Sequence, residues 1–453
     1  MLTDTKTAGD VGAAKLKSYE MLVAREERLK QVNKILILGI IANGILFLLL
    51  LIATILTGIE VTPGLISHIS DLTMIQSDSS GDVTMLTTIL IISVNFACMS
   101  IVMVALSAQE LWALLLGWSL VIVNVILLAS LMFTPALVTI IATGMAVGVA
   151  TRDIRAFRIN PIMSKEVRER MRGVRSFSVI TVYLGLMGGF TLMMYLLQRG
   201  VMHLSSSSAT GELGRSLFAG MFGLELVLIV FIAPAFTSGA ISNERERNTY
   251  ELLQITLLPK ASFIVGKLES ALNYIFLLLL ATIPLQSISF LFGGVGQIEL
   301  ALVMVILVVT ALTLGAIGIF FSTMAETTLA ANTRAYTVAA IVAIGAPIVL
   351  GVFVDSFNNA VGGTAGIAKG NLFLEAAFIY IGALIVSLNP VLTAFSTQQL
   401  LLKKQEIGIW MATLSDGSKI PVLSPWISLV VIYLIVTAVM TFMAIRRMQQ
   451  MDE

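Results

Sequence analysis

Long apolar runs separated by short polar segments fill most of this chain. A membrane-spanning helix needs about 20 apolar residues, and ten runs approach or exceed that length. The first four lie at 35–57, 85–107, 111–133 and 135–151. The other six lie at 176–198, 216–237, 269–292, 299–321, 335–355 and 425–445. The pattern predicts an all-α polytopic membrane protein with about ten transmembrane helices, four in an N-terminal group and six in a core.

The composition agrees with this prediction. Of the 453 residues, 57% are hydrophobic and 12% are charged, against about half and about a quarter in an average soluble domain. The net charge of +1 gives no reason to expect a nucleic-acid partner. The single cysteine, Cys98, cannot form an intrachain disulfide, and the two histidines, His68 and His203, are too far apart to suggest a metal site.

The positions of lysine and arginine orient the first four spans. Residues 1–34 hold seven of these bases, residues 35–151 hold none, and residues 152–175 hold eight. Because cytoplasmic flanks are enriched in such bases, both basic segments are expected in the cytoplasm. This divides the chain into a cytoplasmic segment at 1–34, a four-helix membrane region of unknown role at 35–151, and the core. Arg446 and Arg447 likewise place the C-terminus in the cytoplasm.

A shorter apolar run at 371–388 does not fit a simple count of spans. An even number of crossings is needed to keep both termini in the cytoplasm. We therefore interpret this run as a re-entrant or outer-leaflet helix pair, and a full eleventh span is the alternative. The polar loop 389–424, which contains three lysines, then lies outside.

The polar segment 160–175 has the pattern of an interfacial helix. Asn160 is suited to cap a helix and Pro161 to occupy its first position. Apolar residues then recur at helical spacing among several bases, as expected of a helix lying at the headgroups. The alternative is that these bases serve only as a positive-inside anchor.

The longest cytoplasmic connection in the core is 238–270. Its pattern predicts a second helix outside the spans, over 243–258. Ser242 or Asn243 can cap it, and Glu244 and Glu246 fall in its first turn, where the helix dipole favours acids. About 16 residues would form a rod of about 24 Å. A solvated connector is the alternative, but it does not explain the run of leucines near residue 255.

Several strings in these segments resemble a known family. ISNERERNTYELLQITLLP at 241–259, followed by Gly266-Lys267-Leu268, looks like the coupling-helix signature of type-two ABC transporter permeases. NPIMSKEVRERMRG is similar to the elbow helix before the first core span in that family, and Leu388-Asn389-Pro390 resembles a later motif. The resemblance covers about residues 158–453. Asn248, where the family usually has glycine, and Leu258 before Pro259 are departures from it.

The resemblance implies the permease subunit of an ABC exporter. Such a subunit pairs with a second permease, identical or homologous, and with cytoplasmic ABC ATPase subunits in a prokaryotic plasma membrane, where it also contacts lipid. The residues implied in ATPase coupling are Glu244, Arg245, Glu246, Arg247, Thr249, Glu251, Leu252 and Leu253. Those of the elbow helix are Asn160, Pro161, Arg168, Arg170 and Arg172.

This chain is not expected to be an enzyme. It contains no G-x-x-x-x-G-K-[ST] string, the phosphate-binding loop of an ATPase. We therefore expect this chain to bind no cofactor, with ATP and Mg²⁺ bound by the partner ATPase.

Two acidic residues in apolar runs are candidates for the substrate path, because carboxylates are costly in hydrocarbon. Glu225 lies near the middle of its span and Glu375 lies in the short run. A structural hydrogen bond is the alternative for Glu225. Two other functions stay open: an ion-coupled secondary transporter in which Glu225 titrates, and a membrane sensor or assembly platform that moves no substrate.

Overall fold

The computed structural model shows a helical protein with one small sheet. The residues that it describes are 27–28, 30–49, 81–131, 135–152, 160–171, 174–201, 207–249, 259–345, 372–404, 407–414 and 419–450. Among these residues, the N-terminal unit contains four helices: α1 (Lys30–Leu49), α2 (Gly81–Ser107), α3 (Leu111–Leu131) and α4 (Ala136–Thr151). These helices correspond to the four apolar runs of the first third.

The N-terminal unit has its own apolar core. Val32 and Leu36 of α1 pack with Met99 of α2 and with small residues of α4. Asn95 of α2 and Asn124 of α3 exchange two hydrogen bonds, at 2.7 and 3.0 Å. Both asparagines are buried, so each satisfies the other where the membrane offers no water.

The remaining helices follow in chain order around a second core. They are α5 (Pro161–Met171), α6 (Val174–Val201), α7 (Ser207–Thr237), α8 (Ser242–Glu246), α9 (Lys260–Phe292), α10 (Gln297–Met324), α11 (Thr328–Ala340), α12 (Leu372–Ser387), α13 (Pro390–Lys404) and α14 (Pro425–Gln450). A π-helical turn, Ile341–Gly345, extends α11. Helix α10 is central, because it packs against α7, α9, α11 and α14. Its Thr313 hydroxyl lies 3.0 Å from that of Thr437 in α14.

Within the described residues, eight helices are long and apolar enough to span a membrane, or nine if a bent pair counts as one span. The chain is therefore a polytopic integral membrane protein. Helix α4 has 16 residues and is shorter than each of these eight spans. The predicted span 335–355 corresponds to α11 with its π-helical turn, beginning seven residues earlier than expected; the part from 346 lies outside the described residues.

The bent pair consists of α12 and α13, whose axes meet at 119° around Leu388 and Asn389. Such a bend is closer to a reversal than to a continuous span. The predicted helix pair thus extends beyond residue 388, into the segment 389–424 that the sequence assigns to a loop.

The same segment also contains a short antiparallel hairpin, β1 (Ile409–Thr413) with β2 (Lys419–Leu423). The hairpin packs on α12, where the Tyr380 hydroxyl donates to the Pro421 carbonyl at 2.8 Å. Its Ile409 and Leu423 also contact α2 and the first turn of α4. The hairpin therefore joins the N-terminal unit to the core, at the helix ends that the charge pattern places outside.

Candidate functional site

The prediction of one continuous helix over 243–258 is wrong, because the helix ends before Arg247; residues 250–258 lie outside the described residues. Helix α8 ends at Glu246, and Asn248 has a positive φ of 55°. Asparagine tolerates this left-handed conformation better than most residues, so the chain turns here. Neither Ser242 nor Asn243 caps the helix, because Ile241 occupies the N-cap position without a side-chain bond.

The acid-base-acid triplet of α8 contacts the ends of three membrane helices. Arg245 donates from Nη1 to the Ala325 carbonyl (3.2 Å) and from Nη2 to the Thr323 carbonyl (3.0 Å), at the C-terminal end of α10. Glu246 accepts from the backbone N–H (2.8 Å) and the hydroxyl (2.9 Å) of Thr328. This carboxylate therefore caps the start of α11, where a helix dipole favours an anion.

Glu244, the first acid of the triplet, reaches α9. Its Oε1 lies 3.2 Å from the Nζ of Lys267, and the same Nζ lies 2.7 Å from Glu166 Oε1 in α5. The Lys267 side chain is only 10% exposed, and those of Glu166 and Glu244 are 16% and 28% exposed. One buried ammonium group thus joins the interfacial helix to α8. We call Glu166, Glu244, Arg245, Glu246 and Lys267 the α8 junction.

The backbone of α8 is fixed to α10 as well. The N–H groups of Ile241 and Ser242 donate to the Ser322 hydroxyl at 2.8 and 3.0 Å. On the far side, the Thr249 hydroxyl bonds Glu244 and closes the turn after the helix. Only Glu246, Arg247 and Asn248 of this stretch are exposed. Helix α8 therefore exposes its C-terminal end, from Glu246 onward, while Glu244 and Arg245 are partly buried.

Asn160 holds the interfacial helix against α9. Its Oδ1 accepts from the Ile162 N–H at 3.0 Å, which caps α5 at the predicted place. Its Nδ2 donates to the Ser262 carbonyl (2.5 Å) and to Glu110 Oε1 (2.7 Å). A Cβ at Gly266 would come within 2.5 Å of Asn160 Nδ2. In the Gly-Lys-Leu string, Gly266 therefore allows Asn160 to approach α9 closely. Lys267 forms the ion pairs with Glu166 and Glu244.

Glu110, in the turn between α2 and α3, ties the N-terminal unit to this arrangement. It is 2% exposed. Burial and the nearby Glu269 carboxylate raise its pKa from 4.5 to about 7, against the hydrogen bond from Asn160. The neighbouring Trp112 Nε1 donates to Glu269 at 2.5 Å. The N-terminal unit is thus connected to α5 through a buried hydrogen bond and to α9 through an exposed one.

The raised pKa of Glu110 predicts a pH dependence of stability. The folded protein holds this proton more tightly than the unfolded chain, so the contribution is fully present below about pH 4.5 and is lost as the pH rises through about 7. Glu110→Gln keeps an acceptor for Asn160 and removes the titration. Thermal unfolding in detergent should therefore depend less on pH in this variant than in the wild type. Glu212→Gln, at an exposed carboxyl, is the control; equal pH profiles for wild type and Glu110→Gln would contradict the assignment.

A polar cavity of about 600 Å³ lies beside the α8 junction. Helices α5, α6, α7, α9 and α11 contribute to its wall, together with α8. Arg170 of α5 faces it, 3.6 Å from Glu166 and with its guanidinium 5.2 Å from the centre of the Phe236 ring. Glu166, Glu244 and Lys267 of the junction therefore form part of the wall of a water-accessible cavity.

The Leu388-Asn389-Pro390 motif forms the tip between α12 and α13. Asn389 is fully buried, and its Oδ1 accepts from the Val391 and Leu392 N–H groups at 2.9 and 3.1 Å. Its Nδ2 donates to the Val342 carbonyl at 2.5 Å, in the π-helical turn of α11. The Tyr433 hydroxyl of α14 donates to the Leu388 carbonyl at 2.9 Å. This tip is therefore fixed to two spans.

Glu225 is fully buried in α7. Its Oε1 accepts from the Thr282 hydroxyl at 2.5 Å, and its Oε2 accepts from the Gln286 amide, both in α9. Glu225 thus forms interhelical hydrogen bonds, and it lines neither the polar cavity nor the apolar cavity discussed below. Glu375 lies in the first turn of α12 and is partly buried.

The predicted site residues fall into three groups. Glu244, Arg245, Glu246 and Thr249 come together with Lys267, while Arg168 and Arg170 lie on α5 and Arg247 on the exposed end of α8. Arg172, Glu251, Leu252 and Leu253 lie outside the described residues, as does the side chain of Pro161. The sequence did not single out Glu166, Ser322 or Thr328, whose partners are distant in the chain.

Comparison with known proteins agrees with this architecture. Residues 160–453 match the family described as ABC-2 family transporter protein. A comparison with curated proteins gave no match. The matched range begins at Asn160 and includes the α8 junction and the Leu388-Asn389-Pro390 tip. Domains of this family are multi-pass membrane permeases that typically have no catalytic activity of their own and generally pair with ABC ATPases. The chain belongs to the ABC-2 family of transporter membrane proteins.

Proposed function

We propose that this chain is the permease subunit of an ATP-driven exporter and that a separate ATPase subunit supplies the energy. The observation that carries the proposal is the α8 junction. In one five-residue helix, three successive charged side chains reach three different membrane helices. A displacement of α8 would therefore be transmitted to α9, α10 and α11 at once.

The ATPase is proposed to contact the exposed end of α8 and the residues that follow it. Arg247 and Asn248 are exposed there, and the Arg247 Nε donates to the Asn243 side chain at 3.2 Å. ATP and Mg²⁺ would bind to the ATPase. Closure of two ATPase subunits around ATP would move the α8 helices of two permeases.

The second permease, identical or homologous, is proposed to cover part of the exposed apolar surface. In the most apolar window of α6 only 17% of the residues are buried, the smallest share among the described spans. Phe177, Leu196 and Leu197 are among its exposed side chains. Lipid would cover the remaining surface in a prokaryotic plasma membrane, with both termini in the cytoplasm. The hydrogen-bonded Glu225 lends no support to an ion-coupled mechanism.

Co-purification tests this proposal. The tagged permease should retain an ABC ATPase when isolated from its own cells in mild detergent. Arg247→Glu should weaken retention, because it reverses a charge on the exposed end of α8 without replacing a residue of the triplet. Arg152→Glu, an exposed reversal at the end of α4, should retain the ATPase as the wild type does. Failure of the wild type to retain any ATPase, or equal retention by both variants, would contradict the proposed contact.

A further inference from the structure

An apolar cavity of about 140 Å³ lies away from the α8 junction, between α7, α10 and α13. Its walls include Phe218, Phe222, Ile306 and Leu401. An apolar cavity of about 150 Å³ is large enough to admit a benzene ring in another protein. The space can therefore hold an apolar group of that size.

Three polar atoms on the cavity wall have no hydrogen-bond partner among the described residues. They are Glu299 Oε2, Thr397 Oγ1 and Gln398 Nε2. The unpaired Thr397 hydroxyl is the strongest indication of a ligand site, because the residue is only 4% exposed. Other buried threonines of the spans, such as Thr310 and Thr437, donate to the carbonyl four residues earlier. Buried polar groups without partners are costly and uncommon in native structures.

The polar atoms define what kind of group would satisfy them. The free carboxylate oxygen of Glu299 needs a donor, the Gln398 amide needs an acceptor, and the Thr397 hydroxyl can act as either. Arg215 acts electrostatically on Glu299 and favours its charged form, so an additional cation is not required. A neutral hydroxyl or amide group offers both donor and acceptor.

The cavity opens towards the surface of the described part of the chain. Phe395 of α13 forms part of its wall and is 62% exposed. Gly223 and Ala219 of α7 leave room at the opposite wall, and a Cβ added at Gly223 would meet no atom within 4 Å. We propose that this cavity binds a neutral amphiphilic lipid of the membrane, with part of its chain between the phenylalanine rings and a hydroxyl or amide of its head at Glu299, Thr397 and Gln398.

Photolabelling of the permease in lipid nanodiscs tests the site without any ATPase. The probe is a monoacylglycerol with a photoactivatable group in its acyl chain, and labelled positions are mapped by peptide mass spectrometry. Label is expected on α7, α10 and α13. Gly223→Leu fills the cavity and should reduce this label by about 10-fold or more, equivalent to about 1.4 kcal/mol. Thr397→Val removes one hydrogen bond and should reduce it by about 5-fold.

Gly188→Leu is the matched control, because a Cβ at this glycine of α6 also meets no atom within 4 Å. It should label as the wild type does. If the cavity holds only water, wild type and Gly223→Leu will label these helices equally, and the proposal is wrong. The corresponding fatty acid and alkylamine probes test the head group. Equal or stronger labelling by either would overturn the neutral-head assignment, as would full competition by a plain alkane.

Discussion

Lys267→Met should destabilise the permease markedly. The Lys267 ammonium is the shared partner of Glu166 and Glu244, and its loss leaves these two mostly buried carboxylates facing each other at the wall of the polar cavity. Removing one member of a fully buried ion pair costs about 3–5 kcal/mol. Because Glu244 is partly exposed, we expect about 2–3 kcal/mol here. The thermal unfolding midpoint in detergent should fall by several degrees.

The matched control for this variant removes the charges together. Glu166→Gln and Glu244→Gln combined with Lys267→Met remove the charges at the same three positions, while Arg170, which loses Glu166 as a partner, keeps its contact with the Phe236 ring. Replacing a buried ion pair by neutral groups of similar size is often nearly neutral for stability. The triple variant should therefore unfold close to the wild-type temperature. A triple variant as unstable as Lys267→Met would show that side-chain packing, rather than charge pairing, stabilises the contact of Lys267 with Glu166 and Glu244.

Asn389→Ala should have a comparable effect at the tip between α12 and α13. The change removes an N-cap, worth about 1 kcal/mol, and leaves the partly buried Val342 carbonyl without the Asn389 donor, at about 1–3 kcal/mol. We expect a combined loss of about 2–4 kcal/mol. It should be measured as a lower unfolding midpoint and faster limited proteolysis between α12 and α13.

Asn389→Ser separates the two contributions, because serine can cap α13 but is too short to replace the contact with Val342. Its unfolding midpoint should lie between those of wild type and Asn389→Ala. If the alanine variant unfolds like the wild type, the tip does not stabilise the pair.

The spans and the interfacial helix were predictable because each depends on local sequence. A span follows from a long apolar run, and α5 follows from Asn160 and Pro161 at its start. The hairpin was predictable in principle, since Asp416-Gly417 between two short apolar runs is a turn signal. It was missed because three lysines made the segment look like a solvated loop.

The α8 junction was not predictable to the same degree. Glu246 was expected to stabilise its own helix, yet it caps α11, whose first residue lies far along the chain. The partners of Lys267 come from α5 and α8, so nothing in the local pattern identifies them. The break at Asn248 had a visible signal, because asparagine shares with glycine a tolerance for positive φ.

ATP turnover by the reconstituted complex of permease and ATPase tests the central claim most directly. In the triple variant Lys267→Met, Glu166→Gln, Glu244→Gln, the permease should fold and retain its ATPase through the exposed end of α8. If the junction transmits motion between α8 and the membrane helices, the permease-dependent change in ATP turnover seen with the wild type should be lost in this variant. A triple variant that retains its ATPase and changes ATP turnover as the wild type does would contradict the account.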